Sequence, residues 1–286
     1  MSLALVLGGG GITGAAWEAG LLKGLSDAGI DLTVADLIVG TSAGAMVGAV
    51  VAGGQLDALY ARQTGPVDPL VERAAVVDLS KFANALGLDG GYQMPAGELP
   101  QPIRARIGQI AISAKVDFTE QDRLRTMASR LGGVDTWPVR RLMITAVACD
   151  DGEMIIWTKE SGVSLVEAVA SSCAAPMVYP PATIAGRKYM DGGMRSGTNA
   201  DLAHGSDRVV ILAPLGRSSI AGAALVAEVE KLRAAGASVA LIEADADARE
   251  AFGANPLDPA GRRAAAEAGY KQAVKATGVL RDEVNV

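Results

Sequence analysis

One serine in the chain has the surroundings of a catalytic nucleophile. The pentapeptide Gly40-Thr41-Ser42-Ala43-Gly44 lies between a short strand-like run at residues 36–39 and a small, helix-prone stretch at residues 45–52. This order predicts a strand, a sharp turn and a helix, with the hydroxyl exposed at the strand end near the positive N-terminus of the helix. Ser42 is therefore placed to attack a carbonyl carbon, although similar glycine-rich turns also occur without catalysis.

A hydroxyl is a weak nucleophile at neutral pH and needs a base within hydrogen-bonding distance. Asp191 ends an apolar strand and is followed by Gly192 and Gly193, which let another backbone segment approach closely. We predict a dyad of Ser42 and Asp191. The alternative interpretation is that Asp191 is simply the first residue of an Asp-Gly turn. A triad with His204, the one histidine, would also fit the hydrolase order, but His204 lies in a predicted surface turn.

Four consecutive glycines follow the first predicted strand, residues 3–7, and precede a predicted helix at residues 15–28. A loop without side chains brings backbone N–H groups close to a reacting carbonyl oxygen. We therefore predict an oxyanion hole made by the amides of Gly9, Gly10 and Gly11, where loss of one donor typically costs roughly 3–4 kcal/mol of transition-state stabilisation.

The same loop also has the spacing Gly9-x-Gly11-x-x-Gly14 of a dinucleotide-binding fingerprint. Such a site requires an acidic residue at the end of the second strand to bind the ribose. Asp31 and Asp36 precede that strand, and its end carries the serine turn instead. A nucleotide-binding module is thus the weaker alternative for this loop.

The remaining sequence alternates predicted strands with predicted helices, which is typical of a mainly parallel sheet. We predict an α/β fold: a three-layer α/β/α sandwich with a mainly parallel central sheet and a helical insertion. A single domain covers residues 1–286, with residues 64–138 as the helical insertion or cap and residues 215–286 as a C-terminal α/β extension. Predicted strands are 141–148, 154–158, 183–190 (a hairpin), 208–213 and 238–244; predicted helices are 56–63, 70–86, 103–113, 118–131, 164–172, 220–235 and 259–277.

Composition excludes several classes of function. The chain of 286 residues carries a net charge of -6 with a pI near 5.0, which argues against nucleic acid as a partner. Cys149 and Cys173 are too few for a disulfide framework, and the N-terminus lacks the features of a signal peptide. We expect a cytoplasmic protein, and no spacing of ligand residues calls for a metal or another cofactor.

The motifs taken together resemble those of the patatin-like phospholipase family. The glycine loop at residues 9–14, the Gly-x-Ser-x-Gly turn at residues 40–44 and the Asp-Gly-Gly turn at residues 191–193 match in order and spacing. A fourth match is the Ala-Ser-x-x-x-x-Pro segment at residues 170–176. The resemblance extends over residues 3–214.

The resemblance implies a lipid acyl hydrolase that works through an acyl-enzyme and acts on a lipid or other acyl ester, with transient peripheral contact with a membrane. One position departs from the family pattern: Thr13 stands where the glycine loop usually carries arginine or lysine. A catalytically silent lipid-binding protein is therefore the second hypothesis. The implied roles are Ser42 as nucleophile, Asp191 as base, Gly9, Gly10 and Gly11 as oxyanion donors, and Gly14, Gly40, Gly44, Gly192 and Gly193 as motif glycines.

Overall fold

An eight-stranded sheet forms the centre of the described part of the chain, which comprises residues 1–69, 72–75, 97–217, 222 and 224–284 of a computed structural model. The strands are β1 (Leu3–Leu7), β2 (Leu37–Gly40), β3 (Arg141–Ala148), β4 (Met154–Trp157), β5 (Ala182–Ile184), β6 (Arg187–Asp191), β7 (Arg208–Ala213) and β8 (Ser238–Glu243). Hydrogen-bonded neighbours follow the order β5-β6-β3-β2-β1-β7-β8, and β4 pairs with β3 in addition. Strands β3, β2, β1, β7 and β8 are parallel, whereas β4, β5 and β6 pair antiparallel.

Helices cover both faces of this sheet. Within the described residues they are α1 (Gly11–Asp27), α2 (Ala43–Ala52), α3 (Leu56–Thr64), α4 (Gln101–Ser113), α5 (Glu120–Leu131), α6 (Leu165–Ser172), α7 (Leu225–Ala234), α8 (Ala246–Phe252) and α9 (Arg262–Val284). Leu3, Leu5 and Leu7 of β1 pack with α1, α2 and α9 on one face, and Ala4 and Val6 pack with α7 on the other. Because alternate side chains of a strand point to opposite faces of the sheet, both faces pack against helices. The predicted three-layer α/β/α sandwich is thus confirmed.

Strand β3 has two partners along one of its edges. Ile144 pairs with Gly40 of β2 on one edge and with β4 on the other. Ala146 pairs with β4 and with Asp191 of β6, so β6 lies on the same edge as β2. Because β2 runs parallel and β6 antiparallel to β3, their C-terminal ends meet there, with partner residues two positions apart on β3.

The sequence places most elements correctly and misjudges two helix ends. Both predicted hairpins are present, as the β3–β4 and β5–β6 pairs. Helix α1 begins at Gly11 rather than near residue 15, and α9 extends to Val284 because buried Leu280 and Val284 continue its apolar face. The predicted helix at 70–86 lies outside the described residues except for 72–75, and only the part of 220–235 from residue 224 onward, with residue 222, is described.

Helices α1 and α9 pack closely because small residues face each other. A Cβ added to Gly20 would lie 1.9 Å from the backbone oxygen of Ala266, which is buried in α9. Trp17 in α1 also donates a hydrogen bond from Nε1 to Gln272 Oε1 in α9 at 2.8 Å. This pair of helices therefore leaves no room for a larger side chain at position 20.

We predict that Gly20→Ala lowers the free energy of unfolding by about 1–3 kcal/mol, since the added methyl group must push the helices apart. The control is Gly278→Ala in the same helix pair, where an added Cβ has no neighbour within 4 Å. Alanine is the better helix former, so this variant should be neutral or more stable by up to about 1 kcal/mol. Urea unfolding measures both, and equal midpoints would contradict the packing described here.

Candidate active site

Ser42 occupies the sharp turn between β2 and α2. Its backbone has φ 54° and ψ -115°, a conformation that costs a residue with a side chain of order 1–3 kcal/mol. The turn is possible because α2 lies directly against β1: a Cβ on Gly44 would stand 2.1 Å from the backbone oxygen of Leu7. The glycine after the serine is thus required by close packing, and the serine side chain projects into a cleft.

Asp191 lies at the end of β6 and contacts this serine directly. Ser42 Oγ donates a hydrogen bond to Asp191 Oδ2 at 2.7 Å, and the Gly193 amide donates to Asp191 Oδ1 at 2.8 Å. The two residues are 149 positions apart in sequence and meet because β2 and β6 end on the same edge of β3. The structure therefore brings together the two residues that the sequence predicted as a pair.

Burial raises the pKa of Asp191 to about 6. Asp191 is only 5% exposed, and desolvation disfavours the charged form of its carboxyl group. The hydrogen bonds from Ser42 and Gly193 and the positive charge of Arg123 oppose this shift and lower the pKa. The carboxyl group is consequently ionised at neutral pH while it remains basic enough to accept a proton.

The last residue of α6 and the two residues after it hold both members of this pair. Ser172 Oγ accepts a hydrogen bond from the Ser42 amide at 2.9 Å, and Cys173 Sγ donates to the Ser42 backbone oxygen at 3.1 Å. The Asp191 amide donates to the Ala174 oxygen at 3.0 Å. The segment at residues 170–176, noted in the sequence only as a motif, thus fixes the backbones of serine and aspartate relative to each other.

Asn199 is a buried residue that the sequence interpretation missed. Its Nδ2 group lies 3.0 Å from Thr41 Oγ1, 2.9 Å from the Ser196 oxygen and 3.3 Å from the Gly192 oxygen. It therefore links the residue before Ser42 to the residue after Asp191. A lone asparagine in an irregular stretch gives no sequence signal for this role, because the link depends on tertiary contacts.

The glycine loop lies beside the serine, but one predicted oxyanion donor is occupied. The Gly9 amide donates to the Gly197 oxygen at 2.8 Å, so the prediction that Gly9 is a free donor is corrected. Among the described residues, the amides of Gly10 and Gly11 have no acceptor. The same holds for the amide of Ala43, directly after the serine, which the sequence interpretation did not include.

Thr13 is fully buried beneath a C-terminal segment rather than facing the cleft. The amides of Ile12 and Thr13 both donate to the Pro256 oxygen, at 2.8 and 3.1 Å. Leu257, the next residue, lines the cleft that contains Ser42 and Asp191. The loop is therefore held in place by a backbone acceptor from the C-terminal part of the chain.

The alternative sites have weaker support. His204 is exposed and does not line the cleft that contains Ser42. Asp36 accepts a hydrogen bond from the Leu3 amide, and Asp31 caps a short helical turn, so neither acidic residue is left for a ribose. Within the described ranges, no group of three or more potential ligand residues could hold a metal ion, and no helix is long and apolar enough to cross a membrane.

Comparisons with known proteins found a matching family model and similar solved structures. A family model described as patatin-like phospholipase matches residues 5–204. The chain is similar to VipD from Legionella pneumophila, with 13% identity and a TM-score of 0.47 over 99% of this chain and 67% of that one. It is also similar to the type III effector protein ExoU, with 14% identity and a TM-score of 0.36 over 96% of this chain and 53% of that one, so it spans about half of ExoU. A search of curated proteins found no match.

We predict that Asp191→Asn raises thermal stability more as the pH rises. Because the folded pKa of Asp191, about 6, lies above its ordinary value of 3.8, this group favours the folded state below pH 4 and loses that contribution as the pH rises through 6. The loss amounts to about 3 kcal/mol at neutral pH. Asparagine carries no charge, so the Asp191→Asn variant avoids this loss. Its Tm should exceed that of the wild type by on the order of 5 °C at pH 7.5.

The control for this prediction is Asp282→Asn, which changes an exposed carboxyl group on α9. At pH 7.5 its effect on Tm should be much smaller than that of Asp191→Asn, because the side chain is exposed. A Tm difference between Asp191→Asn and the wild type that does not change with pH would contradict the burial of a charged carboxylate.

Proposed function

Because the chain belongs to the patatin-like phospholipase family, we propose that it hydrolyses carboxylic ester bonds of lipids through a dyad of Ser42 and Asp191. The observation that carries this proposal is the 2.7 Å hydrogen bond from Ser42 Oγ to Asp191 Oδ2 inside the cleft. A nucleophile with a base in direct contact is the minimum equipment for acyl transfer. The apolar lining of the cleft, which includes Met46, Met127 and Leu257, suits an acyl chain.

The proposed reaction has two steps. Asp191 accepts the hydroxyl proton while Ser42 Oγ bonds to the carbonyl carbon, and the carbonyl oxygen takes up the negative charge. The free amides of Gly10, Gly11 and Ala43 are the proposed donors to this oxyanion. The alcohol then leaves with the proton from Asp191, and a water molecule, activated by the same carboxylate, releases the fatty acid and restores Ser42.

We predict that a long-chain fluorophosphonate forms one adduct on the protein, measured by intact mass, and that Ser42→Ala abolishes it. Asp191→Asn should slow labelling by roughly a hundredfold or more, because the serine loses its general base. His204→Ala is the matched control and should label at the wild-type rate, since His204 is exposed outside the cleft. Labelling of Asp191→Asn at the wild-type rate, or loss of labelling in His204→Ala, would contradict the dyad.

A folded wild-type protein that binds lipid but forms no adduct would instead support the silent lipid-binding hypothesis. This outcome differs from a failure of the dyad prediction, because the adduct would be absent from the wild type itself and not only from a variant. Thr13 is the residue that keeps this hypothesis in view, since it leaves the glycine loop without its usual basic side chain.

Ester hydrolysis should depend on pH through Asp191, whose pKa is raised to about 6. Only the carboxylate accepts the proton of Ser42, so kcat/KM should be constant well above pH 6 and fall roughly tenfold for each pH unit below it. Initial rates on a short-chain ester between pH 4.5 and pH 8.5 measure this profile. A rate that does not change across this range in a protein that stays folded would exclude Asp191 as the base.

A further inference from the structure

Arg123 on α5 is a buried cation that the proposed reaction does not use. It is 6% exposed, and its guanidinium carbon lies 3.6 Å from the centroid of the Tyr179 ring. Tyr179 in turn packs edge-on against Phe118, with centroids 5.1 Å apart. The guanidinium group therefore rests on an aromatic wall and lines the cleft beside Ser42 and Asp191.

This guanidinium group lacks the partners that other buried arginines have. Arg262 pairs with Glu72 at 2.5 Å, and Arg104 donates to the Gly152 oxygen at 2.8 Å. Among the described residues, the guanidinium group of Arg123 makes no hydrogen bond and has no carboxylate within 4.0 Å, and its Nε is buried without an acceptor. A buried charge without a partner is costly, so the site favours an incoming anion.

The position of Arg123 sets where that anion would lie. Arg123, Met127 and Arg130 are spaced at i, i+4 and i+7 on α5 and face the same cleft. The charge of Arg123 is close enough to Asp191 to lower the pKa of that carboxyl group. An anion held by Arg123 would therefore lie near the reacting serine and beside the apolar wall that Met127 helps to form.

We propose that Arg123 binds the phosphate group of a glycerophosphate ester whose acyl carbonyl lies at Ser42. The inference rests on the proposed function and adds a residue that selects phosphate-bearing lipids over neutral ones. A guanidinium group offers two parallel N–H donors that match phosphate oxygens, and burial strengthens this contact. Arg123 also supplies positive charge to a cleft whose glycine loop carries Thr13 rather than a basic residue.

Two ligands that differ only in the phosphate test this proposal: 1-octanoyl-glycerophosphate and 1-octanoylglycerol. Binding is measured by calorimetry on Ser42→Ala protein with either Arg123 or Arg123→Met, which keeps an apolar side chain on Tyr179. We expect Kd for the phosphate ligand to rise roughly tenfold or more with Arg123→Met, and Kd for the neutral ligand to change by less than about threefold. Arg123→Lys retains the charge and should give a smaller loss.

The matched control is Arg125→Gln on the same helix, because the Arg125 side chain is 69% exposed. It should change neither Kd. Equal weakening of both ligands by Arg123→Met, or no weakening of either, would overturn the proposal. If circular dichroism shows that Arg123→Met is not folded, the comparison rests on Arg123→Lys. The proposal would then be overturned if Arg123→Lys changed neither the ratio of the two Kd values nor the hydrolysis rates.

Inorganic phosphate separates the two sources of the same anion. The test is whether phosphate inhibits hydrolysis of 1-octanoylglycerol, with chloride at equal ionic strength as the control. Inhibition of the wild type but not of Arg123→Met would show that free phosphate also occupies the site. If Arg123→Met weakens binding of 1-octanoyl-glycerophosphate but not of 1-octanoylglycerol, and phosphate does not inhibit hydrolysis, the site binds the lipid head group. Absence of hydrolysis of both esters by the wild type would contradict the proposed function, while the binding comparison would still decide the role of Arg123.

Discussion

Strands β2 and β6 approach each other from opposite directions along one edge of β3, and this shared edge determines where the site forms. Gly40 pairs with Ile144 and Asp191 pairs with Ala146, so the two strands stop two residues apart. The turn after β2 and the carboxylate at the end of β6 are thereby held together by backbone hydrogen bonds of the sheet core. A one-residue change of register would turn Asp191 to the other face of the sheet.

The site has two ionisable groups in surroundings that disfavour charge. Asp191 is buried and has a raised pKa, and Arg123 is buried on Tyr179 without a carboxylate partner among the described residues. The two charges attract each other without direct contact, since the charge of Arg123 lowers the pKa of Asp191 but no hydrogen bond joins them. Folding therefore bears an electrostatic cost in the cleft, and the large apolar core beneath the sheet must offset it.

Local sequence patterns predicted the parts of the site that local geometry determines. The turn at Ser42 follows from glycines required within a few residues, and the strands follow from apolar runs of the observed lengths. The fold class was predicted for the same reason. The contact of Ser42 with Asp191 was expected through the combination of motifs, because no single one specifies the pairing register.

What the sequence could not supply depends on contacts between distant segments. The Gly9 amide is used by the Gly197 oxygen, and Asn199 joins the two turns, yet neither position has a distinctive local pattern. The burial of Arg123 depends on Tyr179, 56 positions later in the sequence, so no local pattern around Arg123 indicates it. The free amide of Ala43 is likewise visible only when its neighbours' hydrogen bonds are known.

The contact of Pro256 with the glycine loop has a consequence for biosynthesis. The backbone oxygen that binds the amides of Ile12 and Thr13 is synthesised more than 240 residues after them. A nascent chain that already contains Ser42 and Asp191 thus lacks the acceptor that holds the loop. Assembly of the loop must wait until Pro256 has been synthesised, which separates the synthesis of Ser42 and Asp191 in time from the completion of their surroundings.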